Sequence, residues 1–505
     1  MHIAAKIDQL ALWHGDRTAI VDSFGAWSFR QLHERITRFG NAMHGLGLKA
    51  GDRIALLVPD IREYLEADYG AMAAGFVRVP IDPRLTRRDF VALLRHAQAR
   101  ALITHPDFAK KIEGLRLETE TLKWIIHIGG GGIGLDYEDL LGRASDQALT
   151  ERHESDLASL NFSGGTTGSP KAVMLRHRNL MAVAQNTIAG FDISARSVFL
   201  NVRPLWPIAQ VILMAHLFAG ATVVLGGPFD PEQLQQQIQQ SGATRTSLVP
   251  TQLVRALDHW RPNDEQLRRL EAIYVGGSRI PPPVFERAFE LIGARIGVLY
   301  GMTEAPVTCY LPPESLASDA LRRRQLMESV GHELFGYQVR IAPSAETPAE
   351  ATGEVLIRGD NVMAGYWQDD PATGRALRGG WLHTGDIGWS DGSGNLYIVG
   401  RLNDVIRSGS SNIIPKEVED AIGTHPAVSE VAVLGVPDIE WGEAVTAFVV
   451  LKPGMGASEA DLVKHCREQL AGYKKPRAVR FVASLPRSHY GKVIRAELLA
   501  QAGKL

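Results

Sequence analysis

The chain has 505 residues, a formal net charge of -2 and 45% apolar residues. Such a length exceeds what one hydrophobic core organises, so two or more domains are expected, and the near-neutral balance leaves no global field to attract nucleic acid or an anionic membrane surface. Only two cysteines occur, Cys309 and Cys466, neither beside a Cys/His pattern at metal-ligand spacing, which argues against a disulfide scaffold and a structural zinc.

Up to about residue 150, helical and strand patterns alternate. The start lacks the long apolar core of a secretory signal. Trp27-Ser28-Phe29-Arg30-Gln31-Leu32 leads into an amphipathic helix reaching about residue 46, and Arg53-Ile54-Ala55-Leu56-Leu57-Val58 is a short apolar run between turn residues. A helix over 61–74 then precedes Val77-Arg78-Val79-Pro80-Ile81; strand, helix and strand at this spacing predict a parallel α/β unit. Further on, 176–190 reads as a helix and 221–225 as a buried strand. The most apolar run, 211–227, is broken by His216, Gly220 and Thr222 and falls short of a membrane span, so it reads as buried helix then strand. The glutamine-rich 233–241 is read as an exposed helix, 272–275 as a strand, and the prolines at 281–283 as the opening of another helix. Residues 353–359 predict a strand and 379–401 a turn-rich stretch with short strands. Beyond Arg401 the texture becomes a compact α/β segment, with a helix over 415–422, strands over 428–436 and 444–451, and a helix over 460–470 that Ser458 caps. The turn Leu402-Asn403-Asp404 is the natural boundary, giving domains 1–402 and 403–505.

The stretch 160–173 concentrates hydroxyls, glycines and a lysine behind a short apolar run. Gly164, Gly165 and Gly168 let backbone N–H groups approach an anion, Ser163, Thr166 and Thr167 add donors, and Lys171 adds a cation, so the segment reads as a phosphate cradle. A Walker-type loop is disfavoured, because Gly168 is followed by Ser169-Pro170-Lys171-Ala172 in place of Gly-Lys-Ser/Thr. A flexible surface loop is the bland alternative. Tyr300-Gly301-Met302-Thr303-Glu304, after the strand-like 296–299, offers a ring to stack on a base, a hydroxyl for a phosphate and a carboxylate for phosphate-bound Mg²⁺, yet by itself is an ordinary loop. Asp386, following Gly385, suits two ribose hydroxyls or simply a turn. A lysine in the setting of Gly491-Lys492 is usually solvated. His216, His332, His383 and His489 have no triad ordering or paired carboxylates and are read as core or loop histidines.

Ser163-Gly164-Gly165-Thr166-Thr167-Gly168-Ser169-Pro170-Lys171 resembles the signature loop of the adenylate-forming superfamily, which contains acyl-CoA synthetases, luciferases and the adenylation domains of peptide synthetases. Three further elements in the family's order extend the resemblance over nearly the whole chain: Tyr300 to Glu304, Thr384-Gly385-Asp386 with Gly400-Arg401, and Gly491-Lys492. The resemblance implies an α/β fold, with a large multi-subdomain N-terminal domain of parallel sheets and a small mobile α/β C-terminal domain hinged at Asp404. It implies that Tyr300 and Gly276-Gly277-Ser278 contact adenine, Gly301 contacts the nucleotide, Thr303 contacts the α-phosphate, Glu304 binds magnesium, Asp386 and Arg401 hold the nucleotide's ribose side, and Lys492 is the catalytic lysine. The implied substrates are a small carboxylic acid, ATP with Mg²⁺, and coenzyme A, in a cytoplasmic acid–thiol ligase. A carrier-protein phosphopantetheine is the alternative acceptor, and a non-catalytic nucleotide- or acyl-binding protein the alternative of another class.

Three departures bear on the acid and the acceptor. Pro204-Leu205-Trp206-Pro207-Ile208 stands where acyl-CoA synthetases often have Pro-x-Phe-His beside the acyl pocket. Arg279 follows the adenine turn and would meet a second carboxylate of the substrate, or else form a surface ion pair. Ser410 replaces a common glycine near the expected thiol channel.

Overall fold

The computed structural model describes residues 2–149, 156–163, 171–206, 210–261, 265–343, 352–409, 411–487 and 493–502. Gly164, Gly165, Thr166, Thr167, Gly168, Pro207, Ile208, Ser410, His489 and Lys492 lie outside those residues. The chain divides into two compact units, one built from residues up to 338 together with 358–380, the other from 339–357 and from 381 onward.

The first unit carries two large sheets. One has eight strands in the order Gly365–Tyr366, Lys171–Arg176, Leu157–Ser163, Val77–Pro80, Arg53–Leu57, Ala99–Thr104, Trp124–His127, Leu135–Asp136. Its central strands run parallel, and Ala55, Leu57, Val79, Leu102 and Leu160 share a core with Phe90 and Leu94. The predicted helix before it spans Phe29–Gly45. Its start is fixed chemically, since Ser28 Oγ accepts from the Gln31 amide while Gln31 Oε1 accepts from the Ser28 amide.

The other sheet has nine strands, six of which position the candidate site: β1 (Val198–Asn201), β2 (Thr222–Leu225), β3 (Arg245–Leu248), β4 (Ala272–Val275), β5 (Ile296–Met302) and β6 (Ala305–Leu311). Their spatial order is β6-β5-β4-β3-β1-β2, with β5 through β2 parallel and β6 antiparallel to β5. Every residue of β4 is buried, as expected of a parallel strand covered on both faces.

In the second unit, β7 (Gly353–Arg358), β8 (Trp381–Ser390) and β9 (Leu396–Arg401) form an antiparallel run, with Gln338–Pro343 beside β7. A separate five-stranded sheet comprises Ile406–Ser408, Ser411–Ile413, Val428–Asp438, Gly442–Leu451 and Ala478–Phe481. The helices Pro415–Gly423 and Glu459–Gln469 pack on it through Val418, Ile422 and Leu462, and Ser458 caps the second as expected.

Two local expectations are corrected. The strands expected to be short within 379–401 are longer and pair as a hairpin, because Gly385, which breaks the apolar pattern, is absorbed inside the ladder at φ +71° and the register shifts between Ile387 and Gly388. Tyr300, Gly301 and Met302 belong to β5, not to a loop, and only Thr303 and Glu304 make the turn into β6. Among the described residues no helix is long and apolar enough to cross a membrane.

Candidate active site

In parallel α/β sheets, ligands gather beyond the carboxyl ends of the strands. At that edge the chain places Arg203 after β1, Gly276-Gly277-Ser278 after β4, and Thr303-Glu304 after β5. The glycines there have distinct reasons. A side chain at Gly276 would press Leu299, while exposed Gly277 adopts φ +93°. At Gly301 a Cβ would sit 2.5 Å from the Val307 amide nitrogen, so the strand can pass only as glycine. Val307 itself holds φ +45°, a left-handed conformation that costs a β-branched residue about 1–3 kcal/mol and that clusters at functional sites. Tyr300 is buried and Thr303 half-buried beside this strained bulge.

Glu304 is 8% exposed. Its backbone carbonyl accepts from the Met363 amide at 2.8 Å and its carboxylate Oε1 accepts from the Tyr366 hydroxyl at 2.9 Å. The second carboxylate oxygen has no partner among the described residues. The Lys171 ammonium lies over the ring of the same tyrosine, 4.9 Å from its centroid. Burial and then the Glu304 carboxylate push the Tyr366 phenol well up, so it stays a donor. Ser163 pairs with Lys171 across the strands that flank the cradle. Three residues distant in sequence, Lys171, Glu304 and Tyr366, are thus one polar unit. Tyr366 escaped the sequence reading because its role is a contact across 62 residues; the only local signal was an aromatic pair after Gly365.

One carboxylate with a free oxygen fits Mg²⁺, which keeps most of its shell in water and phosphate oxygens. Among the described residues no cluster of three or more His, Cys, Asp or Glu forms a dedicated metal site, consistent with an ion that arrives on a phosphate ligand.

The segment after β1 is tied down from two sides. Asp60 Oδ1 accepts from the Leu205 amide at 2.8 Å, and the Arg84 guanidinium covers the Trp206 ring at 4.8 Å. Burial pushes the Asp60 carboxyl up to about 6, although the Leu205 amide opposes the shift. A carboxyl whose pKa rises on folding supports the fold below about pH 4, and that support is lost as pH rises through about 6. Asp60→Asn keeps the acceptor and removes the titration. Its unfolding free energy is therefore expected to fall less between pH 4 and pH 7 than the native enzyme's, by up to about 3 kcal/mol. Denaturant midpoints at pH 4, 5.5 and 7 check this, and parallel profiles would dismiss it. Arg279 is taken by an ion pair with Glu328, which settles the bland alternative for that residue. His216 is a core histidine: its ring stacks on Phe199 with centroids 4.3 Å apart, and burial drives its pKa down to about 3.

In the second unit, Asp386 and Arg401 face each other across β8 and β9, with Nε of the arginine 2.9 Å from Oδ1 of the aspartate. The aspartate is buried and the arginine side chain 45% exposed, so the ion pair orients the carboxylate from the solvent side of the hairpin. Glu354 on β7 braces the strand by accepting from the Gly385 amide at 3.1 Å and meeting His383 Nδ1 at 2.7 Å. His383 is therefore a structural histidine, as expected. Asp404 lies in the turn after β9, 3.5 Å from Arg495 Nε; the same guanidinium meets Glu419 at 3.2 Å and donates to the Val433 carbonyl at 2.6 Å. Arg487 and Val493, on either side of 488–492, pair as an antiparallel bridge.

The sequence model of the AMP-binding enzyme family matches residues 8–367, and that of the AMP-binding enzyme C-terminal domain matches 417–492. The chain is 33% identical to a feruloyl-CoA synthase from an Amycolatopsis species over 96% of both chains, and 30% identical to a 2-succinylbenzoate–CoA ligase from Bacillus cereus over 97% of both. Among solved structures, ATP-bound MatB from Rhodopseudomonas palustris superposes with a TM-score of 0.90 at 27% identity, covering 99% of each chain.

Proposed function

Because this chain belongs to the AMP-binding enzyme family, we propose a division of labour among its residues for the AMP-forming ligation of a carboxylic acid to coenzyme A. The overall activity is ATP-dependent acyl-CoA synthesis, in keeping with the full-length likeness to acyl-CoA ligases. It runs in two halves. A carboxylate oxygen attacks the α-phosphorus of ATP, the bond to pyrophosphate breaks, and an acyl-adenylate forms. The CoA thiol then attacks the acyl carbonyl, losing its proton, and AMP leaves. Two easier steps replace one hard one.

The observation that carries the assignment of residues is the Lys171–Tyr366–Glu304 unit at the end of β5. Glu304, held by the Tyr366 hydroxyl, is the residue that would hold Mg²⁺, through its other carboxylate oxygen. The ion supplies neutralisation of phosphate charge. Thr303 and the cradle residues Ser163, Gly164, Gly165, Thr166, Thr167, Gly168 and Lys171 donate to phosphate oxygens, Tyr300, Gly301 and Gly276 to Ser278 border the adenine, and Asp386 with Arg401 accepts the ribose side. Lys492 bridges the attacking carboxylate and the α-phosphoryl group, offsetting the repulsion of two anions. Asp404 is the hinge at which the 403–505 domain turns between halves.

Tyr366→Phe retains the ring beneath Lys171 and removes only the hydroxyl that orients Glu304. Acid-dependent pyrophosphate release is expected to fall about tenfold, the range for a hydrogen bond to a charged group. Unchanged release at limiting Mg²⁺ would show that the contact plays no part in the reaction. Cytoplasmic placement is supported by Cys309 and Cys466, both buried and unpaired, and by substrates made inside cells.

The defining experiment is pyrophosphate release from Mg-ATP across short, medium, long, aromatic and dicarboxylic acids, with and without CoA. Turnover with one acid class that requires CoA supports the ligase. A single equivalent released regardless of CoA points to a carrier-protein acceptor, and no release with any acid would leave only a binding protein.

A further inference from the structure

We propose that Arg203 is the anion-binding end of the acyl site, so that the preferred acid carries a second anionic group beyond the carboxylate that is activated. The inference rests on the ligase reading above and narrows it to a substrate class.

Arg203 follows β1 and directly precedes the Pro204-Leu205-Trp206 segment. It is part-buried, and the one hydrogen bond of its side chain among the described residues goes from Nη1 to the Ser247 hydroxyl on β3, 3.1 Å away. No described carboxylate lies within ion-pair distance. The arginines of this unit that are buried among the described residues meet carboxylates, Arg78 on Asp68 at 2.6 Å and Arg245, two residues before Ser247, on Glu271 at 2.8 Å; part-buried Arg35 meets Glu66 at 2.7 Å, and part-buried Arg53 is met by three main-chain carbonyls. Titration follows the same contrast. Burial pulls both Arg203 and Arg245 down, but Tyr274 and Glu271 reverse the effect at Arg245, whereas Arg203, with burial alone acting, falls to about 10. A desolvated cation without a counter-ion is unfavourable in the free protein and is the arrangement that gains when an anion arrives.

Its place in the sheet decides which anion. Along the carboxyl edge the strands run β5, β4, β3, β1, so Arg203 and Glu304 stand at strand ends three steps apart. At about 4.8 Å per step that is about 14 Å between backbones and about 10 Å from the strand on which the guanidinium rests, since it reaches back to Ser247 of β3. The ATP phosphates belong at the β5 end with Glu304 and Thr303, and Arg203 stands at the opposite end of the span, beside a segment fixed by Asp60 and Arg84. A molecule reaching between them carries its activated carboxylate at one end and its second anion at the other, with a spacer of several atoms. Arg279, the arginine first considered for this role, is already neutralised by Glu328.

The test compares matched pairs of acids, such as hexanoic with adipic and octanoic with suberic, in the native enzyme, Arg203→Leu and Arg203→Lys. The native enzyme is expected to favour the diacid in kcat/KM. Arg203→Leu lowers diacid turnover at least a hundredfold while monoacid turnover holds or rises, reversing the preference, and Arg203→Lys retains part of it. A uniform loss over all acids, or a native preference for uncharged tails, overturns the proposal. Thermal melting provides an independent readout even in a protein that releases no pyrophosphate. Without ligand, Arg203→Leu is expected to melt higher than the native protein, and diacids are expected to raise the native melting temperature but not the variant's. A lower melting temperature for the variant, or equal diacid shifts in both proteins, overturns the assignment, whereas failure of pyrophosphate release alone counts against the ligase reading.

Discussion

Glu304→Gln is expected to lower acid-dependent pyrophosphate release by about 10²- to 10³-fold, equivalent to about 3–4 kcal/mol of transition-state stabilisation. The exchange is selective for charge. Glutamine keeps an oxygen to accept from the Tyr366 hydroxyl, and the bond from the Met363 amide goes to the backbone carbonyl, so the two-residue turn between β5 and β6 survives. What disappears is the negative oxygen offered to Mg²⁺ at a site only 8% exposed, where water screens poorly. Single-turnover kinetics over a range of Mg²⁺ concentrations, with melting curves to verify the fold, measure the effect. Release within threefold of the native rate at saturating Mg²⁺ would sink the assignment of Glu304 as the metal carboxylate.

The second large effect is expected from Lys492→Ala, and it should divide the reaction in two. Adenylate formation is expected to fall by about 10²- to 10³-fold, because the attacking carboxylate and the α-phosphate lose the cation between them. Thioester formation from a chemically prepared acyl-adenylate and CoA should stay within about threefold of native, since the anhydride carbonyl needs no such bridge. Equal losses in both halves would mean that the lysine supports the domain and does no phosphate chemistry. The scaffold around it is firm: Arg487 and Val493 bridge at the flanks, and Arg495 ties the following helix to Asp404 and Glu419. Removing one amine from the intervening segment therefore tests chemistry with little risk to folding.

Elements governed by local rules were legible in the sequence. The amphipathic helix after Trp27-Ser28, the proline-opened helix Pro282–Ile292, the cap at Ser458 and the strand Ala272–Val275 all depend on neighbours within a few residues, and each formed where expected. Strands were expected where β8 and β9 lie, but not their length or pairing, because the register shift at Ile387/Gly388 is set by the partner strand and leaves no periodic trace. In the candidate site, Tyr300, Thr303, Glu304, Asp386 and Arg401 stood out only through the family resemblance of the short motifs that hold them. Tyr366, Glu354 and Arg495 did not, since each acts on a residue tens of positions away. Arg203 was invisible for a further reason: its significance lies in the absence of a counter-ion among the described residues, and a charge without one looks the same in a sequence as a paired one.

The passage of the chain out of the second unit after β7 and back at β8 sets a timetable for synthesis. Val355, Leu356 and Ile357 of β7 are buried, and they pair on one side with β8, whose last residue emerges roughly thirty positions later. At about 5–20 residues per second, a ribosome takes on the order of two to six seconds to deliver that partner. For this interval an apolar strand has one open edge while the intervening residues 358–380 join a different body. The pace of decoding across codons 359–390 is thus a folding variable in its own right, and faster hosts close the edge sooner.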